Sequence, residues 1–335
     1  MGGDHGCEVV IEGARHALEA DASITSLHLV GNEAEINKAR KTVGLTDSRV
    51  EVLHASEVLT MDDKPLEGIR KKKDSSMVCA IELVREGKAD AVISPGNTGA
   101  LVAGSMKLRR LDGVERPALA ARMPSRTADF VLIDAGANPV CEPTHLAQFA
   151  VMGSVYAREI LGKKNPRVGV LSNGSEESKG NDLTREAARL CGLLDLNFIG
   201  YVEGFHLFED AVDVVVADGF TGNVVLKTAE SLGYAMMHLL KSELTKTPIR
   251  KFGAMLSQNA FRNLKKRLDP EVYGGAVLLG LNGIVIKTHG SSKARAIANA
   301  IRVAAEEIRH DINRKLALSI AEANQRLATA TPVTA

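Results

Sequence analysis

The sequence predicts an α/β fold, a mostly parallel sheet with helices on both faces. Short apolar runs suited to strands alternate with helical segments along almost the whole chain, the order such a sheet produces. The 335 residues are 45% hydrophobic and 25% charged, enough apolar material for a sizeable core, which excludes a disordered chain. Several predicted strands run straight into Gly-, Asn-, Ser- or Asp-rich loops, where open α/β sheets bind ligands.

From the N-terminus, a helix over Glu8–Ala20 precedes a strand at Leu27–Val30, and a helix over Glu33–Val43 leads to a strand at Val50–Leu53. Helix Ser76–Gly87, strand Ala91–Ile93 and helix Thr98–Leu108 follow. The apolar runs Phe130–Ile133, Arg167–Leu171, Phe198–Tyr201, Val212–Val216 and Ile284–Lys287 read as further strands. Helices are expected between and after them at Thr144–Leu161, Leu183–Cys191, Gly222–Lys241 and Ser292–Arg326, the last amphipathic through Ile297, Ile301, Ala304, Ala305 and Ile308. The chain thus reads as one large α/β domain over 1–327, with 328–335 as a frayed tail. One segment breaks the rhythm: Lys241–Leu268 holds eight Lys/Arg and one acid, net +7 in a chain of net +1, and 241–270 reads as an inserted basic helical protrusion. In it Ile249, Phe252, Met255 and Leu256 share one helical face after Pro248, and Phe261, Leu264 and Leu268 another, the pattern of an interfacial helix.

The near-neutral charge, 4% aromatics and lack of Trp argue against nucleic acid as a partner. Cysteines 7, 79, 141 and 191 form no CxxC, so they read as reduced cytosolic thiols rather than a zinc site or disulfide framework. The first residues have neither the basic nor the apolar region of a signal peptide, and no uncharged run is long enough to span a bilayer. GxGxxG, GxxxxGK[ST], HExxH and GxSxG are all absent, which argues against a standard dinucleotide site, a P-loop, a zincin and an α/β-hydrolase. Asp134 and Asp218 end strands without a closely spaced acidic partner, so no metal or other cofactor is expected.

The strand-end loops are Ser94–Gly99, Asp134–Asn138, Ser172–Asn181, Asp218–Asn223 and Lys287–Ser292. Each alone is compatible with a tight turn, and Asp218 with a helix cap. Together, on one sheet edge, they suit an anion: helix N-termini favour negative charge, glycines admit close approach, and Lys179, Lys287 and His289 add cations. An anion site with no evident side-chain nucleophile suggests that the anion itself attacks or is transferred. Phosphate attacking a thioester fits, because a thiol of pKa near ~8.5 leaves with little acid assistance.

At these loops the sequence resembles the bacterial phosphate acyltransferases, which convert acyl-acyl-carrier protein and inorganic phosphate into acyl phosphate for phospholipid synthesis. The matching stretches are Met1–Gly6, Arg70–Met77, Ser94–Ala100, Gly113–Ala118, Asp134–Asn138, Gln148–Tyr156, Ser178–Asn181, Asp218–Lys227 and Lys287–Ser292, nearly the whole chain and in order. The resemblance implies a fold like isocitrate and isopropylmalate dehydrogenases, a homodimer, and a cytoplasmic enzyme held peripherally at the inner face of the cell membrane. A glycerol-3-phosphate acyltransferase that uses acyl phosphate is the implied downstream partner. By matching position, the resemblance gives Lys179 and Asn223 catalytic roles and makes Asn97, Thr98, Gly99, Asp218, Thr221 and His289 substrate-binding. Family members carry a short hydrophobic strand before Met-Gly-Gly-Asp. This sequence begins at Met1, so the expectation is a sheet lacking one strand position and its loop. Cys7 stands where proline is common and carries no functional weight.

Two other readings compete. A short-chain phosphotransacetylase acting on acyl-CoA would not need the basic segment, whereas carrier proteins and bilayers are acidic. A non-enzymatic membrane-surface scaffold would not need five polar loops on one edge.

Overall fold

The computed structural model describes residues 1–176 and 178–330. In chain order the elements are α1 (Gly6–Ala20), β1 (Leu27–Gly31), α2 (Glu33–Val43), β2 (Val50–His54), α3 (Pro65–Lys71), α4 (Ser76–Arg85), β3 (Ala91–Ser94), α5 (Thr98–Ser105), β4 (Ala118–Pro124), β5 (Asp129–Ile133), α6 (Pro143–Glu159), β6 (Arg167–Ser172), α7 (Asp182–Cys191), β7 (Asn197–Glu203), β8 (Val214–Val216), α8 (Gly219–Thr245), α9 (Pro248–Leu256), α10 (Gln258–Leu268), β9 (Ala276–Leu279), β10 (Ile284–Lys287), α11 (Ala294–Arg309) and α12 (Ile312–Ala330).

Strand order in the eight-stranded sheet is β3-β10-β9-β4-β5-β8-β6-β7. Both faces are covered, so its strands are apolar without alternation. In β5, Val131 and Ile133 enter the core on one face while Phe130 and Leu132 enter the core on the other. Val214 and Val216 of β8 are divided from Val215 in the same way. Helix α6 is the centre of the first core: every residue from His145 to Ala157 is buried, under β5, β6 and β8 and against α7 and α12.

Two strands escape the sequence reading, and they change the topology. β4 is ALAARMP, poor in β-branched residues, and β9 is a four-residue AVLL run bounded by glycines. Both lie between β10 and β5, and all three pairings there are antiparallel. Three reversals make β5, β8, β6 and β7 run opposite to β3 and β10. The loops after β3 and β10 therefore leave one edge of the sheet, and those after β5, β6 and β8 leave the other. The expectation that all five gather on one edge is corrected.

The expected helix Ser292–Arg326 is two helices. At Asp311 the backbone turns through φ +51°, and α12 folds back onto α6, where Lys315 Nζ lies 2.6 Å from Glu159 Oε2. α11 goes instead to α1. Helix α12 continues to Ala330, past the expected start of the tail at 328, while 331–335 lie outside the described residues. No helix of the described residues is long and apolar enough to cross a membrane.

Among the described residues β1 pairs only with β2, apart from the main sheet, and β3 only with β10. Between β1 and β3 is a cavity of about 360 Å³, lined by both strands with Met1, Val10, Met77 and Ile297. The free backbone edges in its walls carry N–H and C=O groups, so it does not suit a bare alkyl chain.

Glu307 of α11 is buried with Oε1 unpartnered, and burial pushes its carboxyl well above the usual range, with Glu306 adding to the shift. A carboxyl raised in the folded state stabilises fully only below its unfolded value near 4.5 and loses that contribution as pH rises. Glu307→Gln should therefore gain stability over the parent progressively between pH 5 and 8, by roughly 1–3 kcal/mol at the upper end. Urea unfolding across that range checks this; parallel pH profiles for the two proteins would contradict it.

Candidate active site

The site on the β5, β6 and β8 edge is built on Asp134. Its carboxylate is fully buried where β5 ends. Oδ1 accepts from the backbone N–H groups of Leu119, Gly136 and Ala137 at 3.0, 3.0 and 2.9 Å. Oδ2 accepts from Asn138 N at 2.7 Å and Asn138 Nδ2 at 2.8 Å. Five donors saturate a carboxylate, so Asp134 is an organiser of its loop and has no lone pair left for a metal. The described residues hold no cluster of His, Cys, Asp and Glu suited to a metal.

Helix α8 starts on that loop. Gly219 N donates to Asn138 O at 2.8 Å. A Cβ on Gly222 would stand 1.9 Å from Asp134 O, and one on Gly219 2.7 Å from Asn138 N and O. Only glycine lets the first turn of α8 lie this close to the loop. Asp218 is the N-cap: Oδ1 accepts from Thr221 N at 2.9 Å and Oδ2 from Thr221 Oγ1 at 2.7 Å. Both residues named as substrate-binding on this turn thus hold its geometry. Asn223, two residues after Thr221, has its side chain 3.4–3.5 Å from where a Cβ on Gly136 would be. Its amide has no hydrogen-bond partner among the described residues.

Lys179 lies in the loop after β6, the strand beside β8. The loop is ordered by its own polar groups: Asn173 Oδ1 accepts from Gly180 N at 2.9 Å, and Asn181 and Thr184 cap α7 reciprocally. The stem of Lys179 covers Gly174, its Cγ 2.5 Å from the position of a Cβ there. The side chain is exposed and has no carboxylate within salt-bridge distance among the described residues, which exclude its near neighbour Glu177.

The other predicted residues lie elsewhere. Asn97 caps α5 through Oδ1, 3.0 Å from Ala100 N, and Nδ2 donates to Met61 O and Asp63 O at 3.1 and 3.2 Å. Its amide is committed to the fold. Thr98 and Gly99 form the first turn of α5, with Gly99 against Pro65. His289, after β10, lies 3.1 Å from Glu230 Oε1 of α8. The sequence reading missed this bridge between the two edges. Its signal was the spacing of Asn223, Lys227 and Glu230, i, i+4 and i+7 on one helix. Burial disfavours the thiolate at each of the four cysteines: it raises Cys7 and Cys79, pushes Cys141 up to about 11 and Cys191 up to about 12.

A family profile described as "Fatty acid synthesis protein" matches residues 1–315. Curated relatives include a phosphate acyltransferase of Geotalea daltonii, 46% identical over 324 residues, covering 96% of this chain and 93% of that protein. Another, from Akkermansia muciniphila, is 44% identical over 320 residues, 93% of this chain and 92% of the relative. The chain belongs to the phosphate acyltransferase family. It is accordingly an acyltransferase of a fatty-acid and lipid synthesis family. A phosphotransacetylase of Streptococcus pyogenes shares the fold at TM-score 0.61 and 21% identity, over 90% of this chain and 91% of that one. The EutD phosphotransacetylase of Staphylococcus aureus does so at 0.57 and 17%, over 88% and 92%.

Gly222→Ala should push α8 off the Asp134 loop, costing about 1–3 kcal/mol of stability. Turnover should fall more steeply than stability does, because Asn223 moves with the helix. Denaturant unfolding beside initial rates checks both; an alanine variant with parental activity would contradict this placement of Asn223.

Proposed function

We propose that this chain transfers a long-chain acyl group from acyl-acyl-carrier protein to inorganic phosphate, giving acyl phosphate for glycerophospholipid synthesis. The observation that supports the reading best is that Lys179 and Asn223 lie on one sheet edge beside the N-terminus of α8, the cation with no carboxylate and the amide with no hydrogen-bond partner among the described residues. A phosphate oxygen attacks the thioester carbonyl, the C–S bond breaks, and the thiolate leaves. Lys179 holds the phosphate or the developing oxyanion, and Asn223 donates to the oxyanion. Phe220 and Val224, exposed next to Asn223, offer apolar surface for the acyl chain. Asp218 and Thr221 serve by holding the turn, and Asn97, Thr98, Gly99 and His289 by shaping the opposite rim. No metal or nucleotide is needed.

The proposal extends to where the enzyme works. Helices α9 and α10 bury no residue, and Ile249, Phe252, Met255, Leu256 and Leu264 are exposed among basic side chains. Apolar groups flanked by cations suit an anionic surface, which supports a peripheral position on the inner face of the cell membrane, and an acidic carrier protein as donor. A homodimer, hand-over of acyl phosphate to a glycerol-3-phosphate acyltransferase, and kinship with isocitrate and isopropylmalate dehydrogenases belong to the same reading.

Acyl phosphate formation from long-chain acyl-carrier protein, run beside acetyl-CoA, tests the activity; preference for acetyl-CoA would favour a short-chain phosphotransacetylase instead, and no product from either a scaffold. In that assay Lys179→Ala and Asn223→Ala should each lose roughly 10²–10³ in turnover, with stability within about 1 kcal/mol of the parent. Near-normal turnover would remove these residues from the chemistry. For the membrane, co-sedimentation with anionic liposomes should be strong at low salt, weak at high salt, and lost in Phe252→Glu/Leu264→Glu. Equal sedimentation of the double variant would exclude α9 and α10 as the anchor.

A further inference from the structure

The face of α8 that begins with Asn223 leads away from the proposed catalytic edge. Lys227 and Glu230 follow at one-turn intervals, so the stripe rises about 10 Å toward the loop after β10. There the Glu230–His289 contact of 3.1 Å fastens the helix to that loop. Lys227, one turn earlier, is thereby brought near Lys287, the last residue of β10. The N-terminal segment closes the rim: Asp4 N donates to Gly290 O at 2.9 Å.

Two cations thus stand near each other, Lys227 exposed and Lys287 half-buried, with Asp4 and Glu230 near Lys287 but not ion-paired to it. Neither lysine has a carboxylate within salt-bridge distance among the described residues. Lys287 is half-buried, and among the described residues its ammonium donates only to the adjacent carbonyl of Thr288. Thr288 is 2% exposed, and its buried hydroxyl has no partner among the described residues. Burial and Lys227 disfavour the charged form of Lys287, Asp4 and Glu230 offset this in part, and a bound phosphate group would offset it further.

We infer that Lys227 and Lys287 form a second anion subsite, which takes a phosphate group. The inference rests on the proposed acyl transfer, where a phosphate group has two sources: inorganic phosphate, or the phosphodiester that links a carrier's thioester arm to its protein. Four charged or titratable groups surround Lys287: Lys227 and Glu230 from α8, Asp4 from the N-terminal segment, and His289 from its own loop. Burial first, and Lys227 second, push the Lys287 amine down to about 8, while Asp4 and Glu230 oppose them. Anion binding needs the protonated amine, so affinity falls as pH rises through 8.

The test uses the full chain with Lys227→Gln, Lys287→Gln and Lys287→Arg. Michaelis constants are measured for inorganic phosphate, for acyl-carrier protein, and for the same acyl group on a thiol that lacks phosphate. A rise of tenfold or more in the phosphate constant of both Gln variants, with the donor constants unchanged, assigns the pair to inorganic phosphate. A tenfold rise confined to acyl-carrier protein assigns it to the arm. In the parent, the affected constant should rise between pH 7.5 and 9, and Lys287→Arg, charged throughout, should flatten that rise. Constants within twofold of the parent for every substrate would overturn the subsite. Stabilisation of the parent against heat by inorganic phosphate or by carrier protein, weakened in both Gln variants, reads the subsite without turnover. A protein that forms no acyl phosphate but shows this weakened protection loses the proposed activity and keeps the subsite; protection equal in all variants overturns it.

Discussion

Everything at the candidate site depends on the buried carboxylate of Asp134. Five N–H groups converge on it from β4, its own loop and Asn138. A buried carboxylate is tolerable only when so many donors replace its water. The backbone that supplies them cannot then move independently. The loop after β5 becomes a rigid seat, and α8 is set on it through two glycines whose smallness admits backbone-to-backbone contact. The position of Asn223 is a consequence of that seat, not of any contact of its own.

The reversal of strand direction in the middle of the sheet gives α8 its second role. With β5, β8 and β6 pointing one way and β3 and β10 the other, no single loop cluster can hold all the polar groups the sequence supplies. A helix that starts at one edge and is pinned at the other by Glu230 and His289 connects them. Its face against the sheet is apolar, through Val225, Leu226 and Ala229, while its polar stripe remains accessible. One element thereby carries both the packing and the alignment of groups from opposite edges.

Charge is distributed unevenly around this frame. Most cations of the surface are paired: Lys72 with Asp63 at 2.6 Å and Arg122 with Asp129 at 2.5 Å, for example. Lys179, Lys227 and Lys287 are not, among the described residues. The thiols, one buried and three partly so, are all pushed up by desolvation, and Asp134 and Asp218 are occupied as acceptors. The groups left with unused capacity are cations and an amide, which suits binding and stabilising an anion better than attacking a substrate through a side chain.

The sequence by itself determined the α/β class, the apolar strands β5, β6 and β8, and the polar loops that follow them. Strands covered on both faces must be continuously apolar, and strand-end loops need glycine and small polar residues, so both leave local signals. It also marked Lys179 and Asn223, through the order of motifs along the chain. Strands β4 and β9 left almost none: Ala118–Ala121 and the four residues of β9 are strands because neighbours pair with them, not because their residues prefer it. The break at Asp311 was equally hidden, because the apolar periodicity continues through it while the partner changes from α1 to α6. Only the tertiary structure decided that Asp134 and Asn97 are organisers, that the polar loops divide between two edges, and that Lys227 stands beside Lys287. Each of these depends on which strand lies next to which and in what direction, a property of long-range pairing that no local run of residues encodes.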